Sequence, residues 1–182
     1  METAPPPTRR RWVRVAWLVG PALAFVLLLG AGIALKGDAL EPGDTAPAVE
    51  ARFLEGDEVL ALEDLRGRPV LVNFWASWCV PCEAEARYLE AAFDEYGAEV
   101  DFVGVNVKDA RSDALEFVER YDVSYTQVRD EDLEWYDAFG LTGQPETFLI
   151  DSDGEVVEHV TGELTSAGEV FRLLDVMLAR EA

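Results

Sequence analysis

Cys79 and Cys82 are the only cysteines in the chain, and they stand two residues apart in Trp78-Cys79-Val80-Pro81-Cys82. Such a pair can cycle between dithiol and disulfide, beginning with attack by a thiolate on a substrate disulfide sulfur. The motif falls between an apolar run and a helical pattern, so it opens a helix. Unpaired N–H groups and the helix dipole at that end favour the thiolate, and such settings lower a thiol pKa from about 8.5 to between about 3.5 and 7.5. Cys79 is therefore the expected nucleophile and Cys82, a turn deeper, the resolving thiol. Pro81 falls in the first turn, where its missing N–H costs nothing. An inert buried disulfide, a pair of core thiols or a Cu(I)-holding thiolate pair uses the same two residues. With His159 as the sole histidine, one chain cannot assemble a mononuclear Cys₄ or Cys₂His₂ zinc site, and no metal site is expected.

A second group could meet a substrate. Gly143 and the Gln144-Pro145 pair precede an apolar strand pattern. Proline at the mouth of a strand can be an ordinary edge or turn residue. If the bond is cis and lies beside the Cys-x-x-Cys, the Gln144 backbone can pair with an incoming peptide. Trp78 borders Cys79 and is expected to contact partners, whereas Trp75, Trp135 and Tyr136 read as packing residues. His159 reads as an exposed or half-buried strand residue without a catalytic role.

Both groups need support from regular elements. Pro69–Trp75, PVLVNFW, is a nearly continuous apolar run, as in a strand buried on both faces. Leu89, Ala92, Phe93 and Tyr96 recur at helical spacing over Cys82–Tyr96, opposed by Glu83, Glu90 and Asp94. Val100–Val107 repeats the buried-strand pattern, and Ser112–Tyr121 is an amphipathic helix with Leu115 and Val118 inward. Val49–Leu54 and Glu58–Leu62 form two short strands around Gly56-Asp57. A short helix covers Asp132–Phe139, and Glu146–Asp151 pairs with Val156–Thr161 across Asp153-Gly154. Ser166 caps a last helix with Val170, Leu173, Leu174 and Met177 inward. The order is a hairpin, then β-α-β-α, then a second hairpin and a closing helix. The expected fold is α/β, a mixed central sheet with helices on both faces.

The chain has 182 residues, enough for one domain of about 100–150 residues and something further. Its 49% hydrophobic content supplies a core and excludes global disorder. Asp and Glu outnumber Lys and Arg 36 to 15, a formal charge of −21, which argues against nucleic acid as a partner. The charge is unevenly spread. Residues 1–35 carry Glu2 against Arg9, Arg10, Arg11 and Arg14, and every other acid lies beyond them. Residues 15–35, VAWLVGPALAFVLLLGAGIAL, are uncharged and long enough for a helix spanning a bilayer core of about 30 Å. The preceding arginines, within a basic N-terminus at 1–14, keep that end cytoplasmic and send the rest to the extracytoplasmic side. A cleaved signal peptide is the other reading, although its apolar core spans only about 7–15 residues. Residues 36–47, rich in Gly, Pro and Asp, read as a linker, and 48–182 as the folded domain.

Together, NFWASWCVPC and GQPETFLID resemble the thioredoxin superfamily. More narrowly, GDTAP at 43–47, LEDLRGRPVLVNFWASWC and GLTGQPETFLIDSDG resemble its membrane-anchored TlpA/ResA/CcmG (DsbE) branch over nearly the whole domain. GVNVKD (Gly104–Asp109) together with QPETFLID is most similar to the CcmG type. The resemblance implies a thioredoxin fold, an extracytoplasmic location and reduction of disulfides in apocytochrome c, at CxxCH segments, before haem attachment. It also implies an integral membrane thiol–disulfide donor that resets the pair, and no cofactor for the exchange itself.

Departures from ordinary thioredoxin sharpen the expectation. Asn73 stands where thioredoxin carries a buried Asp before its motif, and an amide cannot take up the resolving thiol's proton. Glu85, three residues after Cys82, matches a Glu of the branch and is one turn away, so it is the expected proton shuttle. A solvated helix face is its bland alternative. Glu146 matches the Glu of the CcmG-type PET and would line an acidic groove near the site, or be a strand-end charge. Gln144 replaces the usual Ala or Thr, which bears on substrate preference. A general disulfide-forming oxidant would use the same residues in the opposite direction. A peroxiredoxin would need a PxxxTxxC loop, which is absent, and no Met-rich or His-rich segment supports copper handling.

Overall fold

The computed structural model describes residues 39–181, so the proposed anchor at 15–35 and the basic N-terminus lie outside the described residues. Among those described, no helix is long and apolar enough to cross a membrane.

Seven strands form one mixed sheet in the order β2-β1-β5-β4-β3-β6-β7. They are β1 (Glu50–Phe53), β2 (Val59–Ala61), β3 (Val70–Trp75), β4 (Asp101–Val107), β5 (Thr126–Asp130), β6 (Glu146–Ile150) and β7 (Val156–Thr161). The central strands β3, β4 and β5 are parallel, and the outer pairings are antiparallel. Among the described residues, four α-helices and a short 3₁₀ helix (Leu62–Leu65) accompany the sheet: α1 (Val80–Tyr96), α2 (Arg111–Arg120), α3 (Glu134–Ala138) and α4 (Ala167–Glu181). This is the thioredoxin-like α/β architecture, with an added N-terminal hairpin.

Alternation along β3 sorts the layers. Val70, Val72 and Phe74 enter one core with Trp135 and Phe139 around α3 and with Phe148 of β6. Leu71 points to the other face, where Leu89 and Ala92 of α1 meet Val170, Leu174 and Met177 of α4. Trp75, on that second face, stacks on Phe117 of α2 with centroids 4.5 Å apart. Asn73 shares the parity of Leu71 and Trp75, so it is a polar residue aimed at α1 from a fully buried strand.

Three differences from the sequence expectations have physical causes. Thr126–Asp130, TQVRD, is a strand whose polarity hid it; buried Gln127 accepts from Trp75 Nε1, and buried Asp130 accepts from the Trp135 and Tyr136 amides. Residues 40–46, read as linker, dock on the domain: Leu40 N donates to Phe139 O, Gly43 N to Val156 O and Ala46 N to Gly154 O. Helix α2 turns Ala114 and Phe117 most fully inward, leaving Leu115 and Val118 half-buried at the flanks.

Candidate active site

Strand β3 ends at Trp75, and the chain turns through Ala76-Ser77-Trp78 into α1. Cys79 is the N-cap of that helix, with extended backbone (φ −89°, ψ 102°), and its Sγ accepts from the Cys82 amide at 3.2 Å. The helix thus begins at Val80, two residues earlier than the apolar spacing implied. Cys79 and Cys82 form a disulfide with Cα atoms 5.2 Å apart. Their burial contrasts with their neighbours: Cys79 is 4% exposed, while Trp78 and Val80 on either side are 59% and 72% exposed. The same N–H that reaches Sγ in the disulfide is a donor for a Cys79 thiolate, and it adds to the field of the helix N-terminus.

A clasp fixes the turn. Asp109, after β4, accepts from Ser77 N at 2.6 Å, Ser77 Oγ at 2.8 Å and Asn106 Nδ2 at 2.9 Å. Trp78 Nε1 donates to Lys108 O at 3.1 Å, and the Lys108 ammonium lies 3.4 Å from the centre of the Tyr136 ring. The β3–α1 and β4–α2 loops are therefore tied together at the motif. Deeper in, Trp75 Nε1 donates to Gln127 Oε1 at 2.8 Å, and the Gln127 side chain lies over Gly104, where a Cβ would collide with it. That close approach explains glycine in the middle of a buried strand.

Glu85 is 1% exposed rather than solvated. Its Oε1 accepts from Asn73 Nδ2 and its Oε2 from the Leu164 amide, both at 2.8 Å. Asn73 Nδ2 also donates to Thr147 Oγ1 at 3.0 Å. Burial pushes the Glu85 carboxyl up to about 7, while the two hydrogen bonds pull it down and Glu163 adds repulsion. A cavity of about 10 Å³ lies between Cys82 and Asn73, room for roughly one water.

The Gln144-Pro145 bond is cis. Phe74 pairs with Glu146, so Pro145 sits across from the end of β3, where the Cys-x-x-Cys turn begins. Pro145 is buried and Gln144 half-buried. Among the described residues, no backbone hydrogen bond engages Gln144 N–H or C=O. Glu146 requires a correction, because it lines no groove. It is 1% exposed, with Oε1 accepting from Thr142 N, Thr142 Oγ1 and Gly143 N, and Oε2 lying 2.8 Å from His159 Nε2. Asp109, Thr147 and the Leu164 amide were missed as site residues, while His159 is half-buried on β7, as its sequence context implied. Only Asp109 had a sequence signal, as the acid closing GVNVKD.

Residues 41–173 match the Redoxin family. The chain belongs to that family. Within it, the relatives are thiol–disulfide oxidoreductases. The chain is 30% identical to ResA of Bacillus subtilis over 160 residues, covering 87% of this chain and 89% of that one. It is 37% identical to ResA of Geobacillus thermodenitrificans over 128 residues, covering 70% and 73%. Among solved structures, Mycobacterium tuberculosis DsbF superposes with a TM-score of 0.67 at 33% identity, covering 73% of this chain and 99% of that one. These matches and the paired cysteines make this redoxin a thioredoxin-like thiol–disulfide oxidoreductase of the TlpA/ResA/CcmG group.

Proposed function

We propose that this oxidoreductase works outside the cytoplasm, anchored by residues 15–35, and reduces protein disulfides, with the CxxCH segment of an apocytochrome c as its substrate class. The observation that carries the reading is the placement of Cys79 at the N-cap of α1 with Glu85 buried one turn beyond Cys82 at a pKa of about 7. In the reduced protein the Cys79 thiolate attacks one substrate sulfur, the substrate S–S bond breaks, and the departing thiolate takes up a proton. Glu85, ionised in part of the molecules at neutral pH, accepts the Cys82 proton. The Cys82 thiolate then attacks Cys79 Sγ, closing the disulfide and releasing the second substrate thiolate, to which the proton is returned. The substrate gains two electrons and the Cys79–Cys82 pair loses them. An integral membrane thiol–disulfide protein resupplies them.

Recognition follows from the same end of the sheet. The free Gln144 N–H and C=O are suited to pairing with an extended peptide, and exposed Trp78 and Val80 offer apolar contact beside buried Cys79. Reduction as the direction is supported by the resemblance of GVNVKD with QPETFLID to the CcmG type, and the ResA relatives support thiol–disulfide exchange as the chemistry.

A redox titration of the full chain in detergent, read by thiol alkylation, tests this, paired with turnover of an oxidised peptide bearing CxxCH. A reversible two-electron couple near that of thioredoxin, about −270 mV, with peptide reduction is expected. A couple near that of DsbA, about −120 mV, would make the protein a disulfide-forming oxidant and overturn the reading.

A further inference from the structure

The sole histidine of the chain lies outside the exchange chemistry, yet from β7 it reaches, through Glu146, the loop proposed above to meet a substrate. We infer that His159 is a positioning residue for substrate binding: through the buried carboxylate of Glu146 it holds the loop Thr142–Pro145 in its peptide-pairing shape. The inference rests on the function proposed above for the identity of the substrate.

The geometry forms a chain of contacts. Glu146 divides its two oxygens between two parts of the protein. Oε1 is filled by Thr142 N at 2.9 Å, Thr142 Oγ1 at 3.1 Å and Gly143 N at 2.9 Å, all from the loop leading into Gln144. Oε2 lies 2.8 Å from His159 Nε2, its one partner among the described residues. A buried carboxylate oxygen left without a donor is costly, so the imidazole is what permits the carboxylate to sit there. With an acceptor opposite, Nε2 carries the hydrogen.

Sheet register delivers the ring. Phe148 and His159 are direct cross-strand partners, and Glu146 is paired with Thr161, so His159 is the diagonal neighbour of Glu146 on one face. The imidazole stacks on Phe148 at 4.1 Å between centroids and 7° between planes, which fixes its direction. Thr161 Oγ1, 3.5 Å from the same nitrogen, is the other polar neighbour. The consequence lies at the loop. Gly143 turns its amide inward to Glu146, immediately before the unpaired backbone of Gln144. Without the His159 contact Oε2 of Glu146 is buried without a donor, which destabilises the carboxylate in the position where Oε1 serves as the loop's internal acceptor.

The test uses the full chain in detergent. His159→Phe keeps a ring on Phe148 and removes the donor, while His159→Gln keeps a donor at similar reach. Two readouts separate the steps: hydrogen exchange at the Gly143 amide, and KM against kcat for reduction of an oxidised CxxCH peptide. In His159→Phe, Gly143 exchange should quicken about 10-fold and peptide KM rise about 10-fold, with kcat retained. His159→Gln should recover most of both. Should His159→Phe fail to fold, His159→Met provides a second donor-free variant with a flexible apolar side chain. Unchanged Gly143 exchange in the folded donor-free variant would overturn the inference. So would an equal loss of turnover on the peptide and on a small aromatic disulfide that needs no strand pairing. A wild-type chain that reduces no peptide would sink the proposed function instead, and Gly143 exchange would still decide whether His159 holds the loop.

Discussion

The start of α1 and the loop entering β6 each bury a glutamate to 1% exposure at the same end of the sheet, and they use it differently. Glu85 receives one neutral donor on each oxygen, from Asn73 and from the Leu164 amide. Two such bonds do not offset desolvation, so its pKa rises to about 7 and its proton can come and go near neutrality. Glu146 receives three donors on one oxygen and an imidazole on the other. Its acceptor capacity is consumed in holding chain geometry. Burial alone therefore does not mark a carboxylate as an acid–base group; the number and origin of its donors do.

Removing each carboxylate should expose that contrast. The largest effect belongs to Glu146→Ala, which strands the His159 ring and three donors of the 142–143 loop. Urea titration should show a loss of about 3–4 kcal/mol, with Glu85→Ala losing clearly less. Equal losses would break the comparison.

Next comes chemistry. Glu85→Gln should slow reduction of a peptide disulfide at pH 7 by about 10²-fold and abolish the step in the pH–rate profile near 7, whereas Glu146→Gln should keep that step. Stability carries the same signature. A carboxyl raised from 4.5 to about 7 binds more protons folded than unfolded, so its unfavourable burial develops as pH rises from about 4.5 through 7. Stability should fall by roughly 3 kcal/mol over that window in the wild type, and the fall should flatten in Glu85→Gln. The absolute stability of that variant is a poorer test, because its amide turns a donor toward Asn73 Nδ2 or the Leu164 N–H.

The smallest effect is at the clasp. Asp109→Ala frees Ser77 at a half-buried turn and one donor of the buried Asn106 amide, and about 1–2 kcal/mol of stability should be lost. Alkylation of the reduced Cys79 should change at most a few-fold, because the N-cap contact lies within α1 itself.

Legibility followed the range of the interactions. The apolar run PVLVNFW marked β3 because a strand covered on both faces needs no polar partner, and the Cys-x-x-Cys was readable because its chemistry is complete within one turn. Glu85 was legible at one remove: its spacing from Cys82 is local, and the resemblance supplied the rest. The strand Thr126–Asp130 was not legible, since Gln127 and Asp130 are accommodated by Trp75, Trp135 and Tyr136, none of them its neighbours in the chain. Gln144-Pro145 stood out by type, but its place opposite the end of β3 depends on pairing between strands more than seventy residues apart.

By itself the sequence determined the paired cysteines, the helix they open and the order of most elements, because those depend on spacing within a few residues. Tertiary structure alone decided which acids are buried and what each one holds. His159 and Glu146 are 13 residues apart across a hairpin. Pairing in β6–β7 shifts register between Leu149 and Ile150, and a one-residue slip would send the imidazole to the opposite face. A carboxylate's role is set by the donors that converge on it from separate strands, and that convergence exists only once the sheet has closed.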